Sequence, residues 1–333
     1  MISPAMRSIR RTFPQAEITL LAKTWVLEAL GGSPFYDRLV EYDREGSHSS
    51  WSGRWSLIRH LRRENFDLAL LFQKAFEAAF FAYLAGVPRR VGFRTDARGW
   101  LLTDPVEPPT AVHHADQFFC IAESVGASGF DRRLSFHVTP QGVDAALGLV
   151  HKFGLRQKLL IAIHPGASKT ERAWHAERMG QVVEVLMREY EAVPILLGTA
   201  CDRPALDTIQ RIAGPQCILL GDALRLQEMA ALLQHCRLLI CNDSGPMHIA
   251  AALRVPVVAV FGPGSGQRTG PFSDPDLFRI TSHDFACSPC RQKYFKECLP
   301  TPSGKPFCLD EVTVDEVLDD CREMLKLAIR PDS

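Results

Sequence analysis

Four short runs constrain this chain most: VPILLG (193–198), CILLG (217–221), RLLICN (237–242) and VPVVAVFG (255–262). Each is apolar at nearly every position and ends in glycine or asparagine. A strand buried on both faces reads this way, and such strands belong to parallel sheets covered by helices. KLLIAIHPG (158–166) has the same form, and MGQVVEVLMREY (179–190) carries apolar residues at 182, 183, 186 and 187, one helix face. The first half keeps the rhythm more loosely. EITLLA (17–22), DRLVEY (37–42) and DLALLF (67–72) read as strands, and WSLIRHLRRE (55–64) as a helix. KAFEAAFFAYLAG (74–86) reads as a buried helix stopped by Gly86, and HHADQFFCIAESVG (113–126) as another helix. Residues 88–110, rich in Pro, Gly and Arg, predict a strand with long loops. The pattern predicts two Rossmann-like α/β domains, 1–150 and 151–333, the second ending in a cysteine-rich loop and a C-terminal helix.

Composition narrows the partners. The 333 residues are 46% hydrophobic and 23% charged, with a formal net charge of +0. That balance gives no footprint for nucleic acid. No apolar run reaches the length of a membrane span, and the first residues lack the apolar core of a signal peptide, so a cytosolic location is expected. Six of the ten cysteines are scattered (Cys120, Cys201, Cys217, Cys236, Cys241 and Cys321) and read as reduced packing residues. The opening SPAMRSIRRTF is a helix pattern with no strand before it. Open α/β domains ordinarily begin with a strand whose end forms the ligand loop, so the N-terminal domain is expected to lack its first strand.

The chemistry-bearing stretches sit where strands hand over to helices. In CNDSGPMHIAAAL (241–253), Asp243, Ser244 and His248 can be read as a triad, as metal ligands, as an anion cradle, or as an ordinary capped core helix. A triad drawn from one turn has poor geometry, and Asp243 with His248 alone underdetermines a metal. Pro246 suits the first helical turn, Gly245 lets a ligand approach the backbone, and the helix N-terminus favours phosphate. HPGASKTERAW (164–174) repeats the plan: Lys169 and Arg172 can neutralise a diphosphate while Ser168 hydrogen-bonds it, against the alternative of a solvated loop. Asp202, in LLGTACD, can accept from ribose hydroxyls or serve a simple turn. Cys287, Cys290, Cys298 and Cys308 are spaced C-x2-C-x7-C-x9-C; a structural zinc, a disulfide and reduced packing thiols are all open, and the missing second C-x2-C weakens the zinc reading.

NDSGPMHIAAALRVPVVAVFGPGSGQRTGP with IHPGASKTERAW resembles glycosyltransferase family 9, the bacterial ADP-heptose:lipopolysaccharide heptosyltransferases. LRRENFDLALLFQ, AGVPRRVGF and HHADQF extend the resemblance into the first half, and CSPC is similar to the heptosyltransferase II branch. The resemblance implies a GT-B fold, two Rossmann-like domains facing a cleft, with the nucleotide sugar held mainly by the second. It implies inverting, metal-free transfer of heptose from ADP-L-glycero-D-manno-heptose to the lipopolysaccharide inner core, with no cofactor. Ser168 and Arg172 would hold the diphosphate and Asp202 the ribose; Leu224, in GDALRL (221–226), would line the adenine. Asp243, Ser244, Gly245 and His248 would close the diphosphate end. An anionic acceptor implies basic N-domain residues. Arg94 and Arg98 are the preferred candidates, ahead of Arg89, Arg90, Arg62 and Arg63. Peripheral contact with the inner membrane's cytoplasmic face is a further expectation.

The family's general base is an aspartate in a loop that would precede Met1, so no residue of this sequence carries over to that role. His113 and His114 are alternatives, set against a plain helix start. A nicotinamide dehydrogenase is disfavoured because no G-x-G-x-x-G follows a strand. A nucleotide-sugar-binding remnant without catalysis stays open.

Overall fold

The computed structural model describes residues 1–329 apart from 111, 128–130, 289, 291, 294 and 297, and the side chains of 328 and 329. The chain divides into two compact units, Met1–His137 and Val138–Ser333. The boundary falls before the expected 150/151 division because helix Pro140–Lys152 belongs to the second unit, where its Ala146 and Val150 enter the core.

In the first unit the elements run α1 (Ser3–Thr12), β1 (Thr19–Ala22), α2 (Thr24–Leu30), β2 (Arg38–Glu41), α3 (Trp51–Arg63), β3 (Leu68–Leu71), α4 (Phe76–Leu84), β4 (Arg89–Phe93), β5 (Asp104–Val106) and α5 (His114–Glu123). All described strand pairs are parallel, but they form two separate sheets, β1–β2 and β3–β4–β5. Helix α1 starts with Pro4 in its first turn and buries Ala5 and Ile9 against Phe119 and Ala122 of α5. Gly86, with φ +78°, follows α4 in the left-handed region that stops helices.

The second unit continues with α6 (Pro140–Lys152), β6 (Leu160–His164), α7 (Ala176–Tyr190), β7 (Val193–Leu197), α8 (Arg203–Ala213), β8 (Ile218–Gly221), α9 (Leu226–Leu233), β9 (Leu238–Asn242), α10 (Gly245–Ala252), β10 (Val257–Val260), α11 (Gly266–Thr269), β11 (Phe278–Thr281), α12 (Phe307–Asp310) and α13 (Val314–Ile329). One six-stranded parallel sheet runs β11-β10-β9-β6-β7-β8. Its strands alternate between two cores. Ile161, Ile163, Leu238 and Ile240 pack with α7, α8 and α13, whereas Leu160, Ala162, Leu239 and Cys241 pack with α6, α9 and α10. This is the doubly wound order, in which the chain builds outward from β6 to β8, returns, and builds outward again from β9. The switch point lies between the carboxyl ends of β6 and β9.

Candidate functional site

The two glycine-bearing motifs leave the sheet side by side at that switch point. His164 is the last residue of β6 and pairs in register with Cys241 of β9. Asn242, fully buried, clasps the two exits: its side-chain amide donates to the Pro165 carbonyl at 2.6 Å and its carbonyl accepts from the Trp174 N–H at 3.0 Å. Residues 165–174 are thereby held over the β9 end.

The charged groups meet across this clasp. Arg172, from the first motif, donates to the carboxylate of Asp243, from the second, and to the Ser168 hydroxyl at 3.1 Å. The pair is largely withdrawn from water, with side-chain exposures of 16% and 7%. The third guanidinium nitrogen, Nε of Arg172, is buried with no acceptor among the described residues. A buried donor left open beside a fixed cation is an unmet demand for an acceptor.

The helix end supplies the same demand. Ser244 is the N-cap of α10, yet its side chain makes no capping bond. Its hydroxyl lies 3.4 Å from Nδ1 of His164. The first-turn N–H groups carry the positive end of the helix dipole without a side-chain cap. A Cβ built on Gly245 would meet nothing within 4 Å, so the backbone there faces open space. His248 lies half-buried in the same first turn. His164 is buried, and burial lowers its pKa, so it acts as a neutral imidazole.

Asp202 arrives from the next strand. Its Oδ2 accepts from the Thr199 N–H at 2.7 Å and the Thr199 hydroxyl at 2.8 Å. A Cβ on Gly166 would lie 2.5 Å from its Oδ1, so glycine is what lets the β6 loop pass this carboxylate. Gly264 does the same for Asp243, its Cβ position being 2.4 Å from Oδ2. Leu224, in the turn between β8 and α9, is half-buried against the core. Lys169 is exposed beside Ser168. The site thus joins Ser168, Arg172, Asp243, Ser244 and Gly245, with Asp202 flanking.

Residues absent from the sequence reading hold it together: His164, Asn242 and Gly264. The signal for Asn242 was present, a polar residue closing the apolar run RLLICN. The segment 303–312 is clasped to the same region. Lys305 donates to the Thr170 carbonyl at 3.0 Å, His175 and Asp310 meet at 2.8 Å, and Arg178 donates to the carbonyls of Asp310 and Val312.

One expectation changes. Arg98 is no surface cation: it is fully buried and donates to the carbonyls of Phe93, Gln73 and Ala75, a pin for the loop after β4. Arg94 is exposed and pairs with Glu107 at 3.4 Å. His113 caps α5, its Nδ1 accepting from the Ala115 N–H at 3.1 Å, which supports the helix-start alternative. Cys287, Cys290, Cys298 and Cys308 are free thiols, and among the described residues no three His, Cys, Asp or Glu side chains stand where they could share a metal ion. Burial, with the other three thiols adding, pushes the Cys308 thiol up to about 11.

Comparison with known proteins extends over both units. The family model described as glycosyltransferase family 9 (heptosyltransferase) matches residues 54–298. Lipooligosaccharide heptosyltransferase 2 of Haemophilus influenzae is 26% identical over 282 residues, 80% of this chain and 81% of that protein. The glycosyl transferase family 9 structure from Veillonella parvula aligns with TM-score 0.84 at 21% identity, covering 98% of this chain and 93% of that one. The E. coli ADP-heptose lipopolysaccharide heptosyltransferase II aligns with TM-score 0.78 at 23% identity, covering 98% and 95%.

Proposed function

The chain belongs to glycosyltransferase family 9, the heptosyltransferases, and from that premise we propose that it moves a heptosyl group from an ADP-linked donor, with inversion, to the inner core of lipopolysaccharide. One observation carries the donor assignment. At the switch point Arg172, half-buried and paired to Asp243, stands in the same site as an uncapped helix N-terminus whose Gly245 backbone faces open space, the pairing that suits a diphosphate.

In this reading Arg172 and Ser168 grip the diphosphate, with Lys169 as a solvent-side cation. Gly245 and the following N–H groups of α10 take its other oxygens, and Ser244 and His248 add donors. Asp243 acts through Arg172: a bare carboxylate would repel the ligand, whereas an ion-paired one fixes the guanidinium's direction. Asp202 accepts from the ribose through Oδ1, and Leu224 offers an apolar edge to the adenine.

The acceptor hydroxyl attacks the anomeric carbon as the bond to the diphosphate oxygen breaks, and negative charge gathers on the leaving ADP. Prepositioned dipoles and Arg172 stabilise that charge without having to reorganise. Arg94 is the exposed cation of the first unit assigned to the anionic acceptor. The acceptor is a lipid-anchored glycan, so the chain works at the cytoplasmic face of the membrane. Among the described residues no helix is long and apolar enough to cross a bilayer.

Calorimetry with ADP and ADP-heptose, followed by a transfer assay on a defined core acceptor, tests the proposal. Micromolar-range binding and product formation are expected; absence of ADP binding overturns the donor site, and binding without turnover reduces the chain to a nucleotide-sugar-binding protein.

A further inference from the structure

Helix α3 and helix α4 leave an aromatic face that no described residue of the first unit covers. Trp51 is 73% exposed and Trp55 follows one turn later, also exposed. With Phe80 and Leu84 of α4 they line an apolar hollow of about 480 Å³. The rings continue across α4: Phe80 stacks on Phe76 at 5.7 Å, and Phe76 lies 6.3 Å from Trp100, itself 68% exposed. Soluble surfaces carry scattered apolar residues, but contiguous indole and phenyl faces mark an interaction site.

The charges on this face have one sign where they are open. Arg59, Arg62 and Arg63 are exposed on the last turns of α3, continuing the helix that bears Trp51 and Trp55. Among the described residues none of the three has a carboxylate within ion-pair range. Arg54 sits over the Trp51 ring at 5.4 Å, and its acidic partner, Glu77, lies 3.6 Å away. Indoles settle at the headgroup level of a bilayer, while arginines lay their stems along apolar surface and keep their heads among phosphates. A protein groove would need shape-matched walls; a row of projecting rings next to unpaired cations matches an anionic lipid surface instead.

We propose that this face, centred on Trp51 and Trp55 with Arg59, Arg62 and Arg63 beside them, docks the chain on anionic phospholipid headgroups. The inference deepens the acceptor reading above, since a lipid-anchored glycan is reached from the membrane surface, but its test needs neither donor nor acceptor.

The experiment is flotation of the full chain with phosphatidylcholine vesicles and with vesicles also containing phosphatidylglycerol. The wild type is expected to float with the anionic vesicles and to be released by salt. W51A/W55A should lower the partition about tenfold, and R59Q/R62Q/R63Q about a hundredfold, toward the level of neutral vesicles. Wild type that floats with neither vesicle, or a W51A/W55A chain that floats as well as wild type, overturns the proposal. So does a wild type that self-associates through these tryptophans, dimerising with concentration and ignoring vesicles, because the face then belongs to a second copy. ADP calorimetry on the same proteins separates the two readings. Failed flotation with normal ADP binding removes only the membrane face; normal flotation without ADP binding removes only the donor site.

Discussion

The two units solve the same problem, a parallel sheet between helices, to different degrees. In the second, β6 and β9 are buried at every residue, and each has a strand on both sides. In the first, β3 is half-buried at all four residues, and β1 and β3 each pair with a single described strand. The difference governs what each can hold. A continuous sheet fixes two strand ends about 4.8 Å apart, close enough for Arg172 and Asp243 to meet across separate motifs. The first unit's shorter sheets, β1–β2 and β3–β4–β5, also place strand ends side by side, but its candidate residues lie on helices and loops.

This contrast can be broken. The largest effect is expected from Arg172→Ala, which removes the guanidinium and strands the buried Asp243: ADP affinity should fall about a hundredfold or more by calorimetry. Arg94→Ala, in the first unit, should leave ADP affinity unchanged while raising the acceptor KM; equal losses from both would abolish the division of roles. Asn242→Ala leaves a buried N–H and a buried carbonyl unpaired, at a cost of about 3 kcal/mol. Urea unfolding should show that loss in the transition of the second unit only. Gly264→Ala would press a methyl group against Asp243, tilting Arg172, so ADP affinity should drop about tenfold with stability changed by about 1 kcal/mol.

The smallest effect concerns acidity. In the unfolded chain a histidine takes up its proton near 6.5, whereas His164 in the folded chain does so at lower pH because burial penalises the charge. Between those two values the unfolded state binds more protons. Stability should thus fall as pH drops below about 6.5 and hold above about 7. His164→Gln should flatten that slope in denaturation measured at several pH values; an unchanged slope would place the titrating group elsewhere.

Much of the second unit was legible in the chain because its strands are apolar on both faces and its turns are marked by glycine. Ser168 and Arg172 could be proposed as diphosphate groups from their place at a strand end, and Ser244 joined them through the family resemblance. Their mutual contacts could not, since these depend on strand order: β6 neighbours β9, not β8. Arg98 misled because a Pro-, Gly- and Arg-rich stretch reads as surface, while three backbone carbonyls can bury a guanidinium completely. The boundary before α6 was missed for a related reason. That helix's partner, α9, lies far along the sequence, and only packing reveals which unit it serves.

The clasp made by Asn242 reaches a carbonyl 77 residues away in sequence. A chain emerging from the ribosome therefore has the first motif long before it has a site. The cradle comes into being only when β9 has docked on β6, and closing so long a loop is slow compared with local helix formation. A bound nucleotide would then act as a lock on finished folding: it adds stability only to chains whose sheet is complete, in proportion to the logarithm of its concentration over Kd.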